Sequence, residues 1–365
     1  MPPRAALSRA ILNVPSRSSA LLHHRCYHSS PLPLDNHHVL VTGGSRGIGK
    51  AIASRFARLG ASTTIIGRNA DTLESAVREL VSHQGADDTT RTHGYVAGDV
   101  SSKGFWEMLA RSLVLRTILS PSADPFCSQH PQPRQEKFNP APVTIVVNAA
   151  GVTHNALLVR QSAVATEDVV QTNLMGTMWA CKLMGKVLMK SAARARGDAN
   201  KQDQETSAAA SNDEGEEVLR GGVSIVNVSS LLAVQGGVGS AAYAASKAGV
   251  LGLTRALAGE MGPLGVRINA IVPGYVETDM TSAMQPAARE KALERIPLRR
   301  FGTVEEIANT AVFLATNQYA NNCVINLDGG MSAVSNSCSR YSRCYGLASC
   351  HPRNASSRMW YKYNG

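Results

Sequence analysis

The chain has 365 residues, 44% of them hydrophobic, with a formal charge of +10, enough for one α/β domain of roughly 250 residues plus appendages. The charge sits at the ends. Arg4, Arg9, Arg17 and Arg25 precede the first acid, Asp35, and 332–365 holds five basic residues and no acid, so that 37 less these nine leaves 28 basic against 27 acidic residues between. A nearly neutral middle excludes a general polyanion-binding surface, so no nucleic acid is expected as partner, and no apolar run approaches the length of a membrane span.

In chain order, residues 1–34 are rich in Arg, Ser, Ala and Leu and read as a mitochondrial presequence, which predicts a matrix location; Arg25-Cys26-Tyr27 fits a processing site. VLVTGG at 39–44 predicts the first strand and Lys50–Leu59 its helix, STTIIG at 62–67 the second strand, and Asp71–His83 a helix. Thr92–Ala97, VTIVVN at 143–148 and VSIVNV at 223–228 give strands three to five, with one long helix over Thr166–Lys190 between the last two. A helix over Ala244–Met261, a strand RINAIV at 267–272, a helix over Val304–Ala315 and a last strand CVINLD complete the pattern. β-branched runs alternating with helical ones predict, over 35–331, a single doubly wound α/β domain of Rossmann type. Its parallel sheet has about seven strands and helices on both faces.

Two stretches break the rhythm: 120–141 has five prolines and 195–222 many Ala, Ser, Asp, Glu and Gln. Both read as mobile surface insertions without chemistry, and the Ser-rich basic tail 332–365 as unstructured. The seven cysteines contain no C-x-x-C pair and no zinc-like His spacing, so no metal site or disulfide framework is expected.

The first strand runs through Thr42-Gly43-Gly44-Ser45-Arg46-Gly47-Ile48-Gly49 straight into a helix, a glycine turn that lets backbone N–H groups approach a pyrophosphate. Its spacing is not the common G-x-G-x-x-G. An NAD site places an acid at the end of the second strand; here Gly67 is followed by Arg68, and Arg68 with Arg46 suits a 2′-phosphate, so NADPH is expected. Asp99-Val100, after strand three, is placed to face the adenine.

Tyr243-Ala244-Ala245-Ser246-Lys247 puts Tyr243 and Lys247 on one helical face. A phenol is a poor acid–base catalyst at neutral pH, and a nearby ammonium is expected to lower its pKa, so that Tyr243 exchanges a proton with a carbonyl oxygen. Ser230, ending strand five, is placed to donate a hydrogen bond to the same oxygen.

Taken together, these motifs resemble the short-chain dehydrogenase/reductase superfamily, and within it the 3-oxoacyl-[acyl-carrier-protein] reductases of mitochondrial type, over about residues 37–331. The family's TGxxxGxG falls on 42–49, its NNAG on Asn148-Ala149-Ala150-Gly151 with alanine for the second Asn, and VPGYVETDMT with IPLRRFG at 296–302 is the closer similarity. The resemblance implies a catalytic set of Asn173, Ser230, Tyr243 and Lys247, Asn173 holding a water that links Lys247 to solvent. It implies cofactor contacts from Gly43, Ser45, Arg46, Gly47, Ile48, Gly49, Arg68, Asp99, Val100, Asn148, Ala149 and Gly151, again from Tyr243 and Lys247, and from a nicotinamide-orienting loop with Pro273, Gly274, Val276 and Thr278. It also implies a homotetramer paired through the helices around 166–190 and 244–261.

Departures are visible. Ala320-Asn321-Asn322 stands where the family often has a glycine, which implies a looser entry to the last strand, and Gly259 stands where some relatives carry an arginine that docks the acyl carrier protein. The expected activity is NADPH-dependent reduction of a carrier-linked 3-oxoacyl thioester in fatty-acid biosynthesis. The alternatives are a broader carbonyl or quinone reductase, since the loop near Thr281–Arg295 varies freely on this fold, and a non-catalytic NADP-binding subunit of a heteromeric reductase.

Overall fold

In a computed structural model of the chain, residues 33–82, 91–118, 142–206 and 222–334 are described, without side chains at 114–118 and 198–206. The proline-rich insertion 120–141, residues 207–221 of the second insertion, all but two residues of the presequence-like segment and all but three residues of the tail lie outside them. Each β-branched run forms a strand, because such side chains pack well on a pleated surface covered on both faces. The order is β1 (His38–Thr42), α1 (Gly47–Arg58), β2 (Ser62–Gly67), α2 (Ala70–Ser82), β3 (His93–Ala97), α3 (Lys103–Ile118) and β4 (Val143–Asn148). Then come α4 (Ala163–Val170), α5 (Gly176–Thr206), β5 (Ser224–Val228), the single turn α6 (Leu232–Gln235), α7 (Ala241–Met261) and β6 (Arg267–Pro273). The short α8 (Asp279–Ser282), α9 (Pro286–Arg295), α10 (Val304–Thr316) and β7 (Val324–Leu327) finish the described chain.

All seven strands are parallel, in the order β3-β2-β1-β4-β5-β6-β7. The winding reverses between β1 and β4, and in such sheets the crevice beyond the strands' carboxyl ends at that point is where ligands bind. Alternate side chains serve opposite faces. Val39, Val41, Ile65 and Val147 join Ile52, Phe56 and Leu314 of α1 and α10 in one fully buried cluster. Leu40, Ile66 and Val146 join Trp106, Met184 and Leu188 of α3 and α5 in the other. Burying whole side chains of this size at ~1.5–3 kcal/mol each makes these two layers the main source of stability. Among the described residues no helix is long and apolar enough to cross a membrane.

The architecture is the one the sequence predicts, with four differences. α3 is a helix where none is expected; its anchor is Trp106, fully buried, with its indole N–H donating to the Val100 carbonyl at 2.8 Å. The single helix expected over 166–190 is two, joined by a wide π-type turn at Gln171–Met175 that carries Asn173. α5 then continues to Thr206, so the first part of the stretch expected to be a mobile insertion, 195–206, is helical. Its Ala, Arg, Lys and Gln residues are good helix formers, and that propensity outweighs the polar composition. Finally, the entry to β7 is pinned rather than loose. Asn322 takes the left-handed conformation (φ 61°) that a glycine usually serves and that Asn tolerates. The side chain of Asn321 accepts from Ile268 N–H at 3.0 Å and donates to the Ala258 carbonyl at 3.1 Å.

Candidate active site

A cleft of about 780 Å³ opens beyond the carboxyl ends of β1, β4, β5 and β6. Its nucleotide half is built on the turn after β1. Gly43 has φ 68°, and a Cβ on it would stand 2.8 Å from Cα of Ala150; a Cβ on Gly49 would stand 2.3 Å from the Gly43 carbonyl oxygen. Only glycine fits either place. The Thr42 hydroxyl accepts from the N–H groups of both Ala149 and Ala150 at 3.1 Å, tying this turn to the one after β4. Arg46 is the N-cap of α1 in extended conformation and makes no side-chain cap, and the first turn has no acid. The first N–H groups of α1 and the positive end of its dipole therefore face the cleft. Arg46 and Arg68 line the cleft, as does Asp99, one of whose carboxylate oxygens accepts from Ser101 N–H at 3.0 Å. A glycine cradle, uncapped amides and two guanidinium groups fit the phosphates of a dinucleotide.

The chemical half joins the end of β5 to the first two turns of α7. The hydroxyl of Ser230 stands beside the phenol of Tyr243 and favours its ionised form. Lys247 is 4% exposed; its Nζ donates to the Val228 carbonyl at 2.9 Å and lies 5.9 Å from the centre of the Tyr243 ring. Burial pushes the amine down to about 8. Burial also holds the phenol above its ordinary value, the neighbouring Ser230 hydroxyl only partly opposing it. This corrects the expectation that Lys247 lowers the phenol: in the protein alone the amine's hydrogen bond goes to Val228, and desolvation of the ring hydroxyl is the larger effect.

Every residue expected at the site lines the cleft except Asn148 and Asn173. Asn173 is fully buried behind the wall. Its amide donates to the Val152 carbonyl at 3.0 Å and to Ser246 Oγ at 3.1 Å, and its Oδ1 accepts from Val152 N–H at 2.8 Å, so here its side chain fixes the wall at 151–153. Asn148, 4% exposed, donates to Asn227 Oδ1 at 2.9 Å and links β4 to β5. The structure adds lining residues that the sequence does not single out. His154 Nε2 is 3.1 Å from Asp168 Oδ2, and the Thr172 hydroxyl is 3.3 Å from the other oxygen of that carboxylate. The only signal for this group is the i, i+4 spacing of Asp168 and Thr172 just before Asn173.

Comparison with known proteins agrees with this geometry. The short chain dehydrogenase family model matches residues 37–115 and the Enoyl-(Acyl carrier protein) reductase model matches 204–332. The 3-oxoacyl-[acyl-carrier-protein] reductase FabG of Chlamydia muridarum is 33% identical over 301 residues, covering 82% of this chain and 98% of that protein. The chain belongs to the short-chain dehydrogenase/reductase family. It is an oxidoreductase of CH–OH and C=O groups that uses a nicotinamide cofactor, and its relatives include the 3-oxoacyl-[acyl-carrier-protein] reductase of Rattus norvegicus, 32% identical over 294 residues (80% of this chain, 96% of that one). A solved structure described as a putative 2-deoxy-d-gluconate 3-dehydrogenase from Agrobacterium tumefaciens, with bound NADP, superposes with a TM-score of 0.59 at 29% identity, covering 83% and 99% of the two chains.

Proposed function

We propose that this short-chain dehydrogenase/reductase reduces 3-oxoacyl thioesters on acyl carrier protein to 3-hydroxyacyl thioesters with NADPH, in the mitochondrial matrix. The observation that carries the reading is that Ser230, Tyr243 and Lys247 line one cleft with Arg46 and Arg68, and that Arg68, not a carboxylate, follows β2. The similarity to 3-oxoacyl reductases over four fifths of the chain supports the substrate class, and the acid-free basic leader supports the location.

The bound cofactor would supply hydride to the carbonyl carbon. The Gly43 N–H is taken by the Ile66 carbonyl at 2.8 Å, so the phosphates would be held by the first N–H groups of α1, for which Gly43 and Gly49 leave room, and Arg46 and Arg68 would neutralise the 2′-phosphate. Tyr243, whose raised pKa keeps the phenol protonated at neutral pH, gives its proton to the carbonyl oxygen as charge develops there. Ser230 donates a hydrogen bond to that oxygen. Lys247, buried beside the ring and still cationic below a pKa of about 8, favours loss of the phenolic proton once substrate occupies the cleft.

The purified protein should oxidise NADPH in the presence of acetoacetyl thioesters, faster than NADH by about tenfold or more, the factor one guanidinium–phosphate contact provides. Turnover confined to NADH with a sterol or sugar alcohol rules the reading out.

A further inference from the structure

Helix α9 packs behind the cleft without lining it. Its buried Ala292, with Ile296 just past its end, packs in one cluster with Leu231, Val272, Phe301 and Met331, and Leu231 directly follows Ser230. Arg289, one turn before Ala292 on the same side of α9, borders that cluster. The guanidinium meets both oxygens of Glu277, Nη1 donating to Oε2 at 3.2 Å and Nη2 to Oε1. It also lies 4.4 Å from the centre of the Phe301 ring, which stacks on Tyr275 with centroids 5.1 Å apart.

The carboxylate that Arg289 grips is itself fixed. Glu277 N–H donates to the Gly302 carbonyl at 2.8 Å, Gly302 N–H donates to the Tyr275 carbonyl at 2.9 Å, and Val276 bridges Gly302 in parallel. Glu277 stands between Val276 and Thr278, both of which line the cleft. One side chain therefore ties the helix beside Ser230 to the backbone that closes the cofactor end. A half-exposed ion pair of this kind adds little to global stability. A planar fork seated on a ring is, however, far more specific in geometry than a point charge.

We infer that Arg289 is a positioning residue that sets α9 through Glu277, so that the acyl group is seated against the Val276–Thr278 segment. The inference rests on the proposed function for the identity of the substrate. Loss of the clip should loosen α9 and weaken acyl binding while the proton-transfer residues stay in place.

The test compares wild type, Arg289→Lys, Glu277→Gln and the double variant, by steady-state kinetics with acetoacetyl thioester and NADPH and by amide hydrogen exchange of 286–295 against α10. Either single change should raise KM for the thioester roughly three- to tenfold, the range of a charge-assisted pair with a ring contact, with kcat within about twofold. The double variant should be no worse than the singles, since all three break one interaction. Exchange should quicken in α9 and not in α10. Full retention of KM and of α9 protection by Arg289→Lys overturns the inference, because charge alone then suffices; so does a fall in kcat at constant KM. Wild type inactive with the thioester sinks the proposed function instead, and the exchange comparison still decides whether the clip exists.

Discussion

The amine of Lys247 lies 5.9 Å from the centre of the Tyr243 ring and gives its hydrogen bond to the Val228 carbonyl, so in the protein alone the two are neighbours without a direct bond between amine and phenol. Both groups are desolvated, and each is shifted against its charged form. For Lys247 the shift has a stability consequence. Its ordinary value is 10.5 and its folded value about 8. Between those pH values the unfolded chain holds a proton the folded chain lacks, so folding stability rises with pH across that window; below pH 8 the penalty is complete. The difference in unfolding free energy between wild type and Lys247→Met should therefore grow in favour of wild type by on the order of 3 kcal/mol over the window. Urea denaturation of both proteins at several pH values reads it, and a flat difference shows that the amine is solvated.

Tyr243 makes the two directions of the reaction respond oppositely to pH. Because burial raises the phenol, it is protonated at neutral pH and competent as an acid, whereas the reverse oxidation needs the phenolate. Reduction rates should be level through neutrality, and oxidation of the hydroxy product should climb as pH rises toward the phenol's own titration. Tyr243→Phe should lower kcat by about 10²–10⁴, the usual contribution of a positioned proton donor, while leaving NADPH binding intact. A variant retaining most of its activity points to another proton donor.

How much of this was readable beforehand depended on whether the signal was local. β2 and β4 run over the residues read from their β-branched composition, 62–67 and 143–148. Tyr243 and Lys247 were legible from a four-residue spacing, and Arg68 from its place after β2. α3 was missed because its apolar residues do not keep to one face: Trp106 is buried while Met108, two positions on, is 53% exposed. The π-type turn at Gln171–Met175 adds a residue to one helical turn, which a 3.6-residue pattern cannot reveal, and it sets the place of Asn173. His154 meets Asp168, 14 residues on, only through folding. The sign of the Tyr243 shift was misjudged because sequence shows the neighbouring charge but not the burial.

The cofactor preference turns on two cations, with Arg68, not an acid, following β2. Arg46 and Arg68 line the nucleotide end of the cleft, and each guanidinium–phosphate contact is worth roughly 1.5–3 kcal/mol. Arg68→Asp should raise KM for NADPH at least tenfold and leave NADH unchanged or improved, since the new carboxylate repels the 2′-phosphate and suits a ribose hydroxyl. Parallel loss with both cofactors shows that the side chain serves the loop and not the phosphate.

Two glycine-to-alanine changes, both within helices, separate helix propensity from the geometry of the cradle. Alanine is the better helix former by about 1 kcal/mol, so propensity alone predicts a gain at either. At Gly259 in α7 no atom lies within 4 Å of an added Cβ, and Gly259→Ala should stabilise the protein by roughly 0.5–1 kcal/mol. At Gly49 in α1 the Cβ meets the Gly43 carbonyl oxygen at 2.3 Å, a contact that backbone has to move to relieve. The strain, about 1–3 kcal/mol, outweighs the propensity. Because the atoms that must part are the turn and the first helical turn, the N–H groups facing the cleft shift with them. Gly49→Ala should lose stability and weaken NADPH binding by more than about tenfold, one charge-assisted contact or more. Urea unfolding and a fluorescence titration with NADPH measure both variants. Equal stabilisation of the two, with cofactor affinity unchanged in Gly49→Ala, means that the phosphates are not held by the turn after β1.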